Sequence, residues 1–167
     1  MDDDGRDAVT ARFDRAELQA AHDHYVAVAN ECARRGEWAD WADLFTEDAR
    51  YVEHSYGTFE GRGAILAWIT ETMAQWPNSA MTAFPHEWCV CDEARGWWIC
   101  KILNRMADVG DGRVYEEPNL TVLHYAGDMR FSFEEDAYNP ANFAPTIKAW
   151  AAARRMRDER GRGGPFS

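Results

Sequence analysis

The apolar pattern changes period at Pro77, and that change limits the chain to folds in which helices come first and then cover a sheet. Leu18, Ala21, Tyr25, Val28 and Cys32 mark one face of a helix that Asp14 opens, with Glu17 three residues on, and that Gly36 ends. Trp38, Trp41 and Phe45 form the stripe of a shorter helix over 37–45. Ile65, Trp68, Ile69, Thr72 and Trp76 form that of a third over 64–75, stopped by Pro77. Between the second and third helices, "DARYVEH" reads as a strand and "GTFEGRG" as a glycine-bounded turn. Beyond Pro77 apolar positions alternate over 79–91, 97–107, 114–125 and 129–138, separated by the turn sequences "DEARG", "DVGDG" and "AGD". Pro85 and Pro118 fall within two of these runs, where proline marks an edge or a bulge. A last helix over 142–156 buries Phe143, Ile147 and Trp150.

The predicted fold class is therefore α+β: a cone-shaped, curved antiparallel sheet wrapped by three helices from the N-terminal half and one at the C-terminus. One domain spans 14–156, between an unstructured arm over 1–13 and a charged, glycine-rich tail over 157–167.

Charge and composition remove several function classes. With 29 acidic against 18 basic residues and a formal charge of -11, the chain repels phosphate backbones and anionic lipid heads, so nucleic acid and membrane are not expected partners. No apolar run approaches the roughly 20 residues that span a bilayer, and the start resembles no secretory signal, which predicts a cytoplasmic protein. A hairpin centred near Ala94 and Arg95 sets Cys89 opposite Cys100, a pair that geometry allows to form a disulfide and that a reducing compartment keeps as small core residues. The C-x-C spacing lacks a second pair of ligands at zinc-finger distance, so no metal is expected. His22 and His24 point about 160° apart on a helix and read as surface or boundary residues. No glycine-rich phosphate loop follows a strand, and no cofactor is expected.

The order of elements, with "LFTEDARYVEH", "GTFEGRGAI" and "EEDAYNP", resembles the nuclear transport factor 2-like superfamily over roughly residues 16–150. That superfamily includes SnoaL-type polyketide cyclases, ketosteroid isomerases, scytalone dehydratases and limonene-1,2-epoxide hydrolases. The resemblance implies a cone with an apolar pocket and polar groups on alternate strand positions. Laid on ketosteroid isomerases, Glu53 falls on the catalytic base. Laid on limonene epoxide hydrolases, Tyr51 and Glu53 fall on water-positioning residues and Asp136 on the catalytic acid, with Glu134 and Tyr138 on the same parity. The epoxide hydrolase pattern departs at Ile102 and Asn104, which stand where that family has an arginine and a second aspartate. The isomerase tyrosine falls near Ala29, one turn beyond Tyr25.

These readings give a candidate site. Glu53, Asp136 and His124 are the expected catalytic residues, Glu53 as base, Asp136 as an acid on the opposite wall, and His124 with Asn104 orienting a substrate oxygen. Asn119 is a further possible donor to an oxyanion. The expected pocket lining is Tyr25, Trp41, Tyr51, Trp68, Trp76, Asn104, Leu120, Val122, Glu134 and Tyr138, with Ser55 on the same parity as Glu53 and with Val52, His54 and Glu135 facing away. The expected activity is isomerisation, cyclisation or dehydration of a small apolar polyketide-, steroid- or terpenoid-like molecule. The alternatives are a non-catalytic binding or assembly module and an epoxide hydrolase. Lys101, Leu103, Arg105, Thr121, Leu123, Phe131 and Phe133 are expected on the outer face of the sheet, where a homodimer would bury them.

Overall fold

The computed structural model describes residues 12–162. Its elements are α1 (Arg15–Arg35), α2 (Ala39–Ala42), β1 (Phe45–Glu53), β2 (Gly57–Glu60), α3 (Arg62–Ala74), β3 (Met81–Ala83), β4 (His86–Asp92), β5 (Trp97–Met106), β6 (Glu116–Gly127), β7 (Arg130–Ala137) and α4 (Pro140–Arg162). Asp14 caps α1 by accepting from the Ala16 N–H at 2.7 Å, and Gly36 ends it in the left-handed region at φ 71°. The α+β class stands.

The strand order is β2-β1-β7-β6-β5-β3, with β4 also paired to β5. The sheet is mixed rather than antiparallel throughout, because β1 lies parallel to β7. This is what the helical first half makes possible: β1 reaches its place from α2 and not by a hairpin from β7. Since β6 runs along one edge of β5, β3 and β4 share the other. Pairing slips in four of these ladders, between Phe45 and Arg50, Met81 and Ala83, His86 and Trp88, and beyond His124. Each slip bends its strand, and together they curl the sheet around a concave face. Two clusters of buried side chains fill that face, one between α1 and the sheet and one around Trp150 of α4, whose indole N–H donates to the Ala107 carbonyl at 2.7 Å.

Several expectations are corrected. The second helix is a single turn, and Phe45 begins β1, where strand pairing with Phe131 overrides a helical stripe of three aromatics. "GTFE" is strand β2 rather than turn, and the run over 79–91 is two strands separated at Phe84 and Pro85. Helix α4 continues to Arg162, six residues into the segment read as a tail; 163–167 and 1–11 lie outside the described residues. Phe13, assigned to the arm, packs edge-on against Tyr125 with ring centroids 4.8 Å apart. His22 is 6% exposed and stacks on Trp98 at 4.3 Å, because α1 presses its whole Leu18–Tyr25 face onto the sheet.

The register of β6 is opposite to that expected. Pairing with β5 is unbroken from Arg105–Glu116 to Trp97–His124, so Pro118 introduces no bulge. It is accommodated because β7 begins to pair only at Leu120, leaving one edge of the strand free at Pro118. Asn119, Thr121, Leu123 and Tyr125 consequently face inward, and Leu120, Val122 and His124 face outward. On β7 a slip between Phe131 and Phe133 buries Phe131 while leaving Phe133 outside, stacked on His124 at 4.4 Å. Thr121, Leu123 and Phe131 are therefore not on the outer face; Val90, Ile99 and Leu120 are there instead, all strongly exposed.

Among the described residues no helix is long and apolar enough to cross a membrane. If the outer face pairs two copies, light scattering at micromolar concentration gives twice the 19.1 kDa of one chain, and a Leu120→Glu, Ile99→Glu double variant gives a folded monomer. A wild-type monomer would show that this face is left to solvent.

Candidate active site

The concave face encloses a cavity of about 290 Å³ between the sheet, α1, α3 and the start of α4. Its walls are aromatic and aliphatic, with Trp41, Trp68, Phe84 and Ile102 among them. Onto this apolar surface the strands place three carboxyl groups. The expected inward positions are found on β1 and from Glu134 onward on β7: Tyr51, Glu53, Glu134, Asp136 and Tyr138 all line the cavity, and His54 bonds Glu135 outside at 2.7 Å.

Parallel pairing of β1 with β7 sets Tyr51 beside Glu134 and Glu53 beside Asp136. Glu53 and Asp136 are thus neighbours on adjacent strands and not partners across the cavity. Glu53 Oε2 accepts from the main-chain N–H groups of Ser55 and Tyr56, each at 2.6 Å, which ties it to the turn that ends β1. Burial is the main reason that the Asp136 carboxyl is pushed up to about 6, and the Glu53 charge adds to it, against hydrogen bonds from Thr121, Tyr51 and Asn119 that favour the ionised form. Tyr51 donates to Oδ2 at 2.5 Å, Asn119 to Oδ1 at 2.8 Å, and Thr121 also to Oδ1. A carboxylate offers about four lone-pair positions, so one position on Oδ2 remains free.

Glu134 lies deeper and is 2% exposed. Burial first, and then the Asp136 charge, hold its carboxyl well above the usual range, which favours the neutral form. Its Oε1 accepts from the Tyr25 hydroxyl at 2.8 Å, and its buried Oε2 has no hydrogen-bond partner among the described residues. Tyr25 and Tyr51 are themselves kept as neutral phenols, by burial and then by the adjacent carboxylates. Tyr138 is shifted the same way by burial and by Glu53.

Other expected site residues are placed differently. His124 is outside the cavity, sandwiched between Trp97 at 4.1 Å and Phe133, and has no catalytic position. Leu120 and Val122 leave the lining with it, by the same reversal of β6. Trp76 is 64% exposed, because α3 ends at Ala74 and the chain turns outward before Pro77. Asn104 lines the cavity but donates to Asn119 Oδ1 at 2.9 Å and to the Glu117 carbonyl, so it orients Asn119 rather than a substrate oxygen. Tyr25, Trp41 and Trp68 line the cavity as expected. Thr121, expected on the outer face, donates to Asp136, and Asn119 is a partner of Asp136 rather than an oxyanion donor; the apolar Leu120 and Val122 on the opposite parity hid both in the sequence.

Comparison with known proteins agrees with this architecture. The chain superposes on a protein of ketosteroid isomerase-like fold from Catenulispora acidiphila, solved with trimethylamine, at a TM-score of 0.59 and 17% identity over 74% of this chain and 92% of that one. It superposes on the BvnE pinacolase of Penicillium brevicompactum at 0.58 and 14%, over 83% and 98%. It also matches the epoxide hydrolase/cyclase-like enzyme SalBIII of pyran ring formation in salinomycin at 0.57 and 12%, over 77% and 95%. At these identities the likeness is one of fold. No curated protein sequence matches the chain. Residues 10–135 match the model of the SnoaL-like domain, and the chain belongs to the SnoaL-like family.

Proposed function

We propose that the protein is a general acid/base enzyme acting on a small, largely apolar molecule that carries a carbonyl or hydroxyl group. The observation that carries this reading is a pair of carboxyl groups on one strand in unequal environments: Glu134, deeply buried with one phenol donor and an unpartnered Oε2, and Asp136, with three side-chain donors and a free position on Oδ2, so that burial raises Glu134 well above the usual range and Asp136 only to about 6. Environments that drive two neighbouring carboxyls apart in this way supply an acid and a base together. Membership of the SnoaL-like family and fold neighbours named as a pinacolase and a cyclase-like enzyme support a catalytic role.

The roles differ from those expected from sequence. Asp136 takes a proton from a carbon next to a carbonyl, and Glu134 donates to the carbonyl oxygen as the enol forms. Return of the first proton to another carbon and of the second to Glu134 completes an isomerisation. When the substrate instead carries a hydroxyl β to that carbonyl, Glu134 gives its proton to the leaving oxygen and water departs. Tyr51, between the two carboxyls, positions Asp136, and Glu53 acts on it through charge from the adjacent strand. The cavity volume lies at the low end for ligand pockets, which favours a terpenoid- or small polyketide-sized molecule over a steroid.

Asp136→Asn and Glu134→Gln should each lower kcat by about two or more orders of magnitude in a screen of enolisable ketones and β-hydroxy ketones. For the wild type, kcat/KM should rise with pH through about 6 as Asp136 ionises, and fall only far above the carboxylate range as Glu134 ionises. Ligand binding with no turnover of any such substrate, unchanged by both amides, would favour a binding module.

A stability measurement separates function from folding. In the native state Glu134 holds a proton that the unfolded chain releases near pH ~4.3, so the native state binds more protons and stability falls as pH rises above that point. Glu134→Gln keeps an acceptor for Tyr25 and removes this linkage. Its melting temperature should equal or exceed that of the wild type at pH 7 and fall less steeply with pH. A large loss of stability at pH 7 would mean that Glu134 is a structural residue.

A further inference from the structure

The geometry points to a structural zinc site formed by His22, His86, Cys89 and Cys100, where α1 meets the β4–β5 hairpin. Four potential ligand atoms converge there, all within 4.8 Å of one another. His22 Nε2 lies 3.1 Å from His86 Nδ1, 3.5 Å from Cys89 Sγ and 3.4 Å from Cys100 Sγ, and His86 Nδ1 lies 3.4 Å from Cys89 Sγ.

Hydrogen bonds alone do not account for this cluster. A ring nitrogen has either one proton or one lone pair, so it makes one good hydrogen bond. Here Nε2 of His22 faces three partners and Nδ1 of His86 faces two. A tetrahedral zinc ion with Zn–S of about 2.3 Å and Zn–N of about 2.0–2.1 Å places its ligand atoms about 3.3–3.8 Å apart, close to the four separations observed. Two thiolates and two neutral imidazoles cancel the charge of Zn²⁺, which suits a site where His22 and Cys100 are buried. The two cysteine protons leave to solvent on binding. Two sulfur and two nitrogen donors in this geometry select zinc over calcium or magnesium.

The backbone is shaped for the same convergence. His86 and Cys89 are three residues apart and would lie on opposite faces of a regular strand. The slip between His86 and Trp88 adds one residue to β4, so that His86 pairs with Ile102 and Cys89 with Cys100, whose side chains share the inner face of β5. From α1, His22 reaches the same point; its buried Nδ1 has no hydrogen-bond partner among the described residues, and the Asp23 carboxylate lies 3.9 Å from it, on the side where zinc-bound histidines commonly hold an outer-shell carboxylate. The expectation of no metal rested on C-x-C spacing; of that pair only Cys89 belongs to the cluster, and the other three ligands are His86 three residues before it, His22 a further 64 residues back, and Cys100 across the hairpin.

The test uses the full chain, stripped of metal with a chelator under reducing conditions and titrated with Co²⁺ and then Zn²⁺. One equivalent of cobalt should bind with tetrahedral d–d bands and a sulfur-to-cobalt charge-transfer band, and one equivalent of zinc should displace it. X-ray absorption of the zinc form should give two sulfur and two nitrogen neighbours, a readout that needs no variant. Zinc should raise the melting temperature by several degrees. Cys89→Ser with Cys100→Ser should abolish the charge-transfer band and lower zinc affinity by at least 100-fold, whereas Cys91→Ser should leave both unchanged. A reduced wild-type chain that takes up no metal at micromolar concentration would overturn the proposal. So would a folded double serine variant with unchanged zinc affinity, or a Cys89–Cys100 disulfide that persists in millimolar glutathione.

Discussion

Three carboxyl groups within one apolar cone cannot all be ionised, and the rest of the site is arranged around that constraint. Glu53 is held by main-chain N–H groups at the end of β1, Asp136 by three side-chain donors, and Glu134 by a single phenol in the deepest position. Of the two carboxyls on β7, Asp136 receives three donors and is pushed up only to about 6, whereas Glu134, with one, is held well above the usual range. Parallel pairing of β1 with β7 brings two polar stripes together by setting Tyr51 and Glu53 beside Glu134 and Asp136.

Helix α1 serves both polar clusters. His22 and Tyr25 are three residues apart, so they leave the helix on one face, the first toward the paired cysteines and the second toward Glu134. Whatever fixes the rotation of α1 at His22 therefore also fixes the reach of the Tyr25 hydroxyl. His86 joins the two regions, since it borders the cavity while its Nδ1 faces the cysteines. The apolar face that α1 lays on the sheet thus carries two polar groups, the His22 ring and the Tyr25 hydroxyl, which a fold under pressure for stability alone would replace with aliphatic side chains.

How much of this was legible depends on bulges. In β1 and the inner half of β7, alternation is uninterrupted from Tyr51 and from Glu134, and the inward positions were readable from the sequence. In β6 the pattern misleads, because Leu120 and Val122 are apolar yet outward, while Asn119 and Thr121 are polar yet buried to hold Asp136. A buried polar pair reverses the usual rule that apolar residues mark the inner face, and only knowledge of the pairing with β5 resolves it. The slips at Glu87 and Ser132 have no composition signal of their own, and they decide whether His86 meets Cys89 and whether Phe131 meets the core. His22 was misread because a lone polar residue on an otherwise apolar helix face looks like its boundary until the sheet is laid against it.

The central claim is that Glu134 is a neutral acid beside an ionised Asp136. Difference infrared spectroscopy of the carboxyl stretch, comparing wild type with Glu134→Gln and Asp136→Asn between pH 5 and 8, measures this directly. The account predicts a protonated carboxyl band that persists to pH 8 and is absent from Glu134→Gln, together with a second band that disappears near pH 6 and is absent from Asp136→Asn. A wild-type spectrum with no protonated carboxyl at pH 7 would contradict it.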